Sequence, residues 1–229
     1  MVENTKVPKW EILVRERIAA KLKSFQKATQ TLIDSDAVEA NTRLLVTDFL
    51  CEALGFDKYT DLDAELNVKG DFADYGIRIG GQLSAIVEVK RIKQVLNSTH
   101  LRQAESYALR EGVEWVFLTN GQIWQIYHVD PKKNDKSDLQ LILEVDLLDP
   151  SSRTPKKVDS LVYFSKEFTA KGRVKELWKA KAALAPKVVI EAILSQESLL
   201  AVKREIRRET KENVDIDELK SVIKALLGS

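Results

Sequence analysis

Trp10, Leu13, Val14, Ile18, Leu22 and Phe25 recur at three- and four-residue steps, which predicts an amphipathic helix from Lys9 to Leu32. Asp34, Ser35 and Asp36 then offer N-caps for a second helix that carries Val38, Leu44, Leu45, Phe49, Leu50 and Leu54 and closes at Gly55. Beyond Gly55 the period shortens. The pattern predicts strands over Leu62 to Val68, Asp74 to Ile79 and Ser84 to Arg91, and then a helix over Ser98 to Glu111 closed by Gly112. A strand over Glu114 to Thr119 turns through a two-residue Asn120-Gly121 hairpin into a strand over Gln122 to Val129. The polar loop Pro131 to Asp138 leads to a last strand, Leu139 to Leu147. After Asp149-Pro150 and a polar connection, Ser151 to Lys157, the pattern is helical over Ser165 to Leu184, Lys187 to Arg208 with a break near Ser195, and Asp215 to Leu227. This order predicts an α/β fold: a mixed sheet flanked by helices over residues 1–149, then a mainly helical C-terminal tail over 150–229.

The hairpin around Gly80-Gly81 fixes a face. Opposed residues of an antiparallel pair share a side and have a constant sum of residue numbers. A sum of 162 sets Tyr75, Ile77 and Ile79 against Val87, Ala85 and Leu83, one apolar face, and puts Asp74 opposite Glu88 with Lys90 pointing the same way. A two-residue Gly80-Gly81 turn gives 161 instead and mixes Ser84 and Gln82 into that face, so the apolar pattern favours 162.

Composition narrows the classes. With 44% apolar residues in 229, the chain carries enough apolar content for a packed core. No run approaches the ~20 apolar residues of a membrane span, and Met1 to Trp10 has no signal-peptide core, so a cytoplasmic protein without a membrane partner is expected. One cysteine, Cys51, and two distant histidines, His100 and His128, exclude the usual zinc spacings, and no phosphate-loop motif marks an ATP site. The net charge of +1 divides into −5 over the first 149 residues and +6 over the rest. Arg153 to Lys187 alone holds 10 basic and 3 acidic residues, a density that fits a polyanion partner or a solvated helix face. In the cluster Lys203, Arg204, Arg207, Arg208 and Lys211, the interleaved Glu205, Glu209 and Glu212 point to a salt-bridged surface helix.

Two carboxylates on one face raise each other's pKa, and a divalent cation with oxygen ligands offsets that repulsion. Mg²⁺ held by Asp74, Glu88 and the Val89 carbonyl, with Lys90 placing or deprotonating a water, is the chemistry this cluster suits. An ordinary Glu88–Lys90 pair on a half-exposed strand has the same spacing. The order of several short motifs weighs on the choice: Glu39-Ala40-Asn41-Thr42-Arg43, Leu54-Gly55-Phe56-Asp57, Asp74-Tyr75-Gly76-Ile77, Val87-Glu88-Val89-Lys90-Arg91, Gln103 with Tyr107 and Ala108, and Leu118-Thr119-Asn120-Gly121 with Trp124. Over roughly residues 36–129 this order resembles the N-terminal nuclease domain of type I restriction enzyme R subunits, within the PD-(D/E)XK nuclease superfamily, and the short stand-alone proteins that share it.

The resemblance implies a restriction-endonuclease-like sheet and Mg²⁺-dependent hydrolysis of DNA phosphodiester bonds, with Mn²⁺ as a substitute ion. It implies Asp74, Glu88 and Lys90 as the catalytic set, Gln103 and Tyr107 as catalytic support and DNA contacts with Arg91 beside them, and Glu39 as an added acidic metal ligand. DNA is the implied substrate, and a homodimer or restriction-system subunits are the protein partners left open. The ATP-driven translocase of the R subunits has no counterpart here. The alternative is a catalytically silent nuclease-fold module for DNA binding or assembly.

Overall fold

A computed structural model describes residues 7–131 and 139–228, so most of the polar loop at 131–138 lies outside the described residues. Among these the order is α1 (Lys9–Asp34), α2 (Glu39–Asp48) running into a π-helical turn (Phe49–Ala53), β1 (Leu62–Val68), β2 (Asp71–Ile79), β3 (Gln82–Val89), α3 (Ser98–Glu111), β4 (Trp115–Thr119), β5 (Ile123–His128) and β6 (Gln140–Asp146). Then follow α4 (Thr154–Leu161), a 3-10 turn (Val162–Phe164), α5 (Lys166–Ala170), α6 (Arg173–Ala183), α7 (Pro186–Ile193), α8 (Gln196–Thr210) and α9 (Ile216–Leu227). The fold is α/β. Six strands form one open mixed sheet in sequence order, antiparallel throughout except for the parallel β3–β4 pair that α3 connects. Asn97 caps α3 by accepting the Thr99 and His100 amides, and Gly112 ends it at φ +68°.

The sheet faces carry different cover. One face packs Phe117 and Trp124 against Phe164, and Trp124 against Phe49. On the other, Ile86 and Val116 pack under Ala104, Tyr107 and Ala108 of α3. The alternating aromatics of β4 and β5 are thus largely core: Phe117 and Trp124 are buried, Trp115 and Tyr127 half-buried.

The hairpin register combines both readings of its turn. Tyr75 faces Val87 and Ile77 faces Ala85, the sum of 162. Between Ile77 and Arg78 a bulge shifts the register, so that Arg78 faces Leu83 and Ile79 faces Gln82 across a two-residue Gly80-Gly81 turn. Both glycines have positive φ, +58° and +82°, as a tight hairpin turn requires. One extra residue therefore satisfies the turn and the apolar pattern together.

Other expectations are corrected. The second helix is capped by Val38 without a side-chain bond, because the Asp36 carboxylate pairs instead with Arg91 and Lys93. The β4–β5 loop is wider than two residues: Thr119 faces Trp124, and the Asn120 side-chain oxygen accepts the amides of Gln122 and Ile123. The predicted boundary at Asp149-Pro150 does not separate compact units, which are Met1–Glu176 and Leu177–Ser229. Helix starts before the expected Ser165: residues 154–164, whose first part lies in the expected connection Ser151 to Lys157, form α4 and its 3-10 turn and bury Leu161, Val162 and Phe164. Gly172, at φ +70°, breaks the single helix expected over Ser165 to Leu184 into α5 and α6.

The basic stretch is also not one free patch. Lys157 is 5% exposed and donates to the Leu147 and Asp149 carbonyls, Lys166 pairs with Asp61, and Lys175 pairs with Glu114. In the second unit Ser195 caps α8, which explains the break there, and Arg208 bridges to Glu205 and Glu209 as a salt-bridged surface helix would. No helix among the described residues is long and apolar enough to cross a membrane.

Candidate functional site

A break in strand alternation sets the position of Asp74. Ala73 belongs to the core cluster under α3, and Leu66 reaches so close to Gly76 that an added Cβ there would lie 2.9 Å from it. Tyr75, two residues from Ala73, turns to the opposite side, its hydroxyl 2.8 Å from Thr47 Oγ1 of α2. In an unbroken strand residues two apart share a face. β2 therefore exchanges its faces at Asp74, and β1 does so beside it at Glu65, which takes a left-handed φ of +52° between the Ala64/Tyr75 and Leu66/Ala73 pairs. Asp74 is left where the two sides meet. Its Oδ2 accepts the Val89 amide at 2.8 Å, and its Oδ1 accepts from Arg43 Nη1 at 3.2 Å.

Glu88 and Lys90 stand on the α3 side. Lys90 Nζ donates to Glu88 Oε1 at 2.6 Å and to Gln103 Oε1 at 3.3 Å, and Gln103 Nε2 donates to the Tyr107 hydroxyl at 3.0 Å. The four-residue step from Gln103 to Tyr107 stacks both on one α3 stripe, with Tyr107 buried and Gln103 exposed. Glu88 is 2% exposed, and its Oε2 accepts no hydrogen bond. Burial pushes the Glu88 carboxyl up to about 7, against the pull of Lys90 and with a push from the charge on Asp74. Asp74 is raised as well, again mainly by burial, opposed by the Val89 amide, Arg43 and Lys90.

The structure thus brings Asp74, Glu88, Val89, Lys90, Gln103 and Tyr107 into one chain of contacts. Glu39, half-buried at the first turn of α2, acts on both carboxylates through its charge. Among the described residues no three carboxylates, histidines or cysteines are grouped closely enough to hold an ion by themselves. Arg91 is engaged elsewhere: it donates to the Ala37 carbonyl at 3.0 Å and the Asp36 carbonyl at 2.9 Å and pairs with the Asp36 carboxylate, pinning the α1–α2 turn.

Sequence reasoning missed Arg43 as a site residue. Its signal is its place four residues after Glu39, on the same stripe of α2. Thr42 beside it accepts the Ile92 amide and so ties α2 to the segment leaving Lys90. His100, one turn before Gln103, pairs its Nε2 with Gln94 at 2.9 Å, and burial and the charge on Lys90 lower its pKa.

A buried carboxylate with one orphaned oxygen beside a half-buried one fits a divalent cation, provided water or a backbone carbonyl fills the remaining positions. Comparisons of this chain with protein-family models, with curated proteins and with solved structures find no match.

Proposed function

We propose that this protein hydrolyses DNA phosphodiester bonds with the help of Mg²⁺ as a restriction-type endonuclease similar to the nuclease domain of type I R subunits. One observation carries the reading: the buried Glu88 carboxylate, beside Asp74, keeps an oxygen that no protein group satisfies. A buried acceptor without a partner costs roughly 1–3 kcal/mol, more when charged, and such a cost persists where a ligand repays it. Asp74, Glu88 and the Val89 carbonyl are the ligands assigned to the ion. Bound there, it would supply charge stabilisation to a scissile phosphate.

The protein's own groups divide the rest. Lys90, held between Glu88 and Gln103, presents a cation and a proton donor where the attacking water and phosphate oxygens would meet. Gln103 and Tyr107 position that amine from α3. The test is cleavage of single-stranded, linear duplex and supercoiled DNA in Mg²⁺ and Mn²⁺ by wild type, Lys90→Ala and Asp74→Ala. Wild type cuts. Lys90→Ala binds DNA but cuts slower by orders of magnitude, and Asp74→Ala neither binds the ion nor cuts. No cutting by wild type in either ion, with equal DNA binding by all three, replaces hydrolysis by a module that holds DNA without cutting it.

A further inference from the structure

Phe72 is an aromatic ring left 56% exposed two residues from Asp74. Ala73 faces α3, so its neighbour Phe72 faces the α2 side, where Arg43 enters. Arg43, Glu65, Phe72, Ala73 and Asp74 line one cavity of about 230 Å³. Drug-sized ligands take roughly 300–1,000 Å³, so this space suits a single planar ring with its attachment left outside. An exposed ring beside a guanidinium is the pairing that grips unpaired nucleotides: the aromatic face stacks on a base of any identity and the cation takes its phosphate.

The break at Asp74 gives the subsite its direction. Glu88, Lys90 and Gln103 lie on the α3 side of the break and Phe72 and Arg43 on the α2 side, with Asp74 between them. Phe72 and Asp74 are about 7 Å apart along the strand, the scale of one nucleotide step. A strand with its scissile phosphate at Asp74 that continues toward the α2 side brings the adjoining nucleoside over Phe72.

Resting on the hydrolytic reading, we propose that Phe72 and Arg43 form a nucleotide subsite that stacks an unpaired base next to the cleaved bond, so that the substrate is DNA that is single-stranded or opened at the cut. Arg43 now spends one donor on Asp74 at 3.2 Å and lies 3.9 Å from Glu65, which leaves other guanidinium nitrogens for a phosphate. The exposed Phe72 contributes little to the core, so its removal leaves the fold intact.

The test is binding of oligonucleotides, single-stranded and fully paired, that carry 2-aminopurine as a stacking-sensitive base, in Ca²⁺ so that cutting does not intervene. Phe72→Ala is expected to weaken single-strand binding roughly ten- to hundredfold and abolish the protein-induced quenching of 2-aminopurine, while Phe72→Trp retains both. Arg43→Gln should flatten the salt dependence of single-strand binding by about 0.7 in log–log slope. Wild-type affinity and quenching in Phe72→Ala overturn the subsite and leave hydrolysis to be judged at Lys90. An equal loss on fully paired duplex overturns the unpaired-base assignment. Phe72-dependent binding by a wild-type protein that never cuts removes hydrolysis and keeps the subsite.

Discussion

Lys90 Nζ lies 2.6 Å from one oxygen of Glu88, and the other oxygen of that carboxylate is buried without a hydrogen bond. A pair built for stability alone would satisfy both oxygens, because a half-satisfied buried charge loses more to desolvation than its one contact returns. The geometry instead keeps an acceptor free beside a cation, and the neighbouring Asp74 adds negative charge to the same spot.

That arrangement sets a pH dependence. The folded Glu88 carboxyl is raised from 4.5 to about 7, so between these values the folded state binds the proton that the unfolded state has lost. Stability from this group is complete below pH 4.5 and is lost as pH rises through about 7, by about 3 kcal/mol at most. Thermal melts should therefore show the difference in Tm between Glu88→Gln and wild type growing in the variant's favour from pH 4.5 to 8. Mg²⁺ or Mn²⁺ at pH 8 should raise the wild-type Tm and leave that of Glu88→Gln unmoved. A pH-independent difference would place the carboxyl in an ordinary ion pair.

Gln103 is expected to act through Lys90 rather than on the ion. Gln103→Ala releases the Lys90 amine from its second partner and frees the Tyr107 hydroxyl, so kcat should fall about tenfold while KM and the ion requirement hold. Gln103→Glu, which retains the acceptor, should recover most of the rate. A change confined to KM would make Gln103 a DNA contact only.

The α3 residues were legible because helix spacing alone puts Gln103 and Tyr107 on one stripe, and the Tyr75–Val87 and Ile77–Ala85 pairs because an apolar face fixed the hairpin register. The bulge between Ile77 and Arg78 was hidden because two valid cues, a paired-glycine turn and an alternating face, imply different registers in a regular hairpin. The exchange of faces at Asp74 had no signal at all: its left-handed residue is Glu65, where no glycine marks it. α4 was missed although Pro155 at its first turn is a helix-start cue, since the polar run Ser151 to Lys157 resembles a linker. The long-range partners of Arg91 and Lys157 are carbonyls distant in sequence, which no spacing rule can supply.

Arg91 is therefore expected to matter for folding more than for DNA. Arg91→Ala removes two donations to the Asp36 and Ala37 carbonyls and one partly exposed ion pair, a loss of about 1–2 kcal/mol. A lower Tm with an unchanged salt slope of DNA binding is the anticipated result. A flattened slope at unchanged Tm would return Arg91 to the phosphate contacts.

The chain can be cut after α6 but not before α4. Ending it at Asp149 removes Val158, Leu161, Val162, Phe164, Phe168 and Val174, all buried, and strips Phe164 from Phe117 and Trp124, whose ring centroids lie 5.3 and 5.7 Å away. Burial of such side chains contributes about 1.5–3 kcal/mol each, so their loss amounts to ~10 kcal/mol, as large as the whole stability of a typical domain. It also leaves the Leu147 carbonyl without the Lys157 amine that now lies 2.8 Å from it. Ending the chain at Ala183 keeps α4, α5 and all of α6, and with them the compact unit Met1–Glu176. The fragment 1–183 should melt cooperatively close to the full chain, and the fragment 1–149 should show no cooperative transition and expose apolar surface to a hydrophobic dye. A cooperative melt of the shorter fragment, with native near-ultraviolet signal from Trp124, would move the boundary back to Pro150.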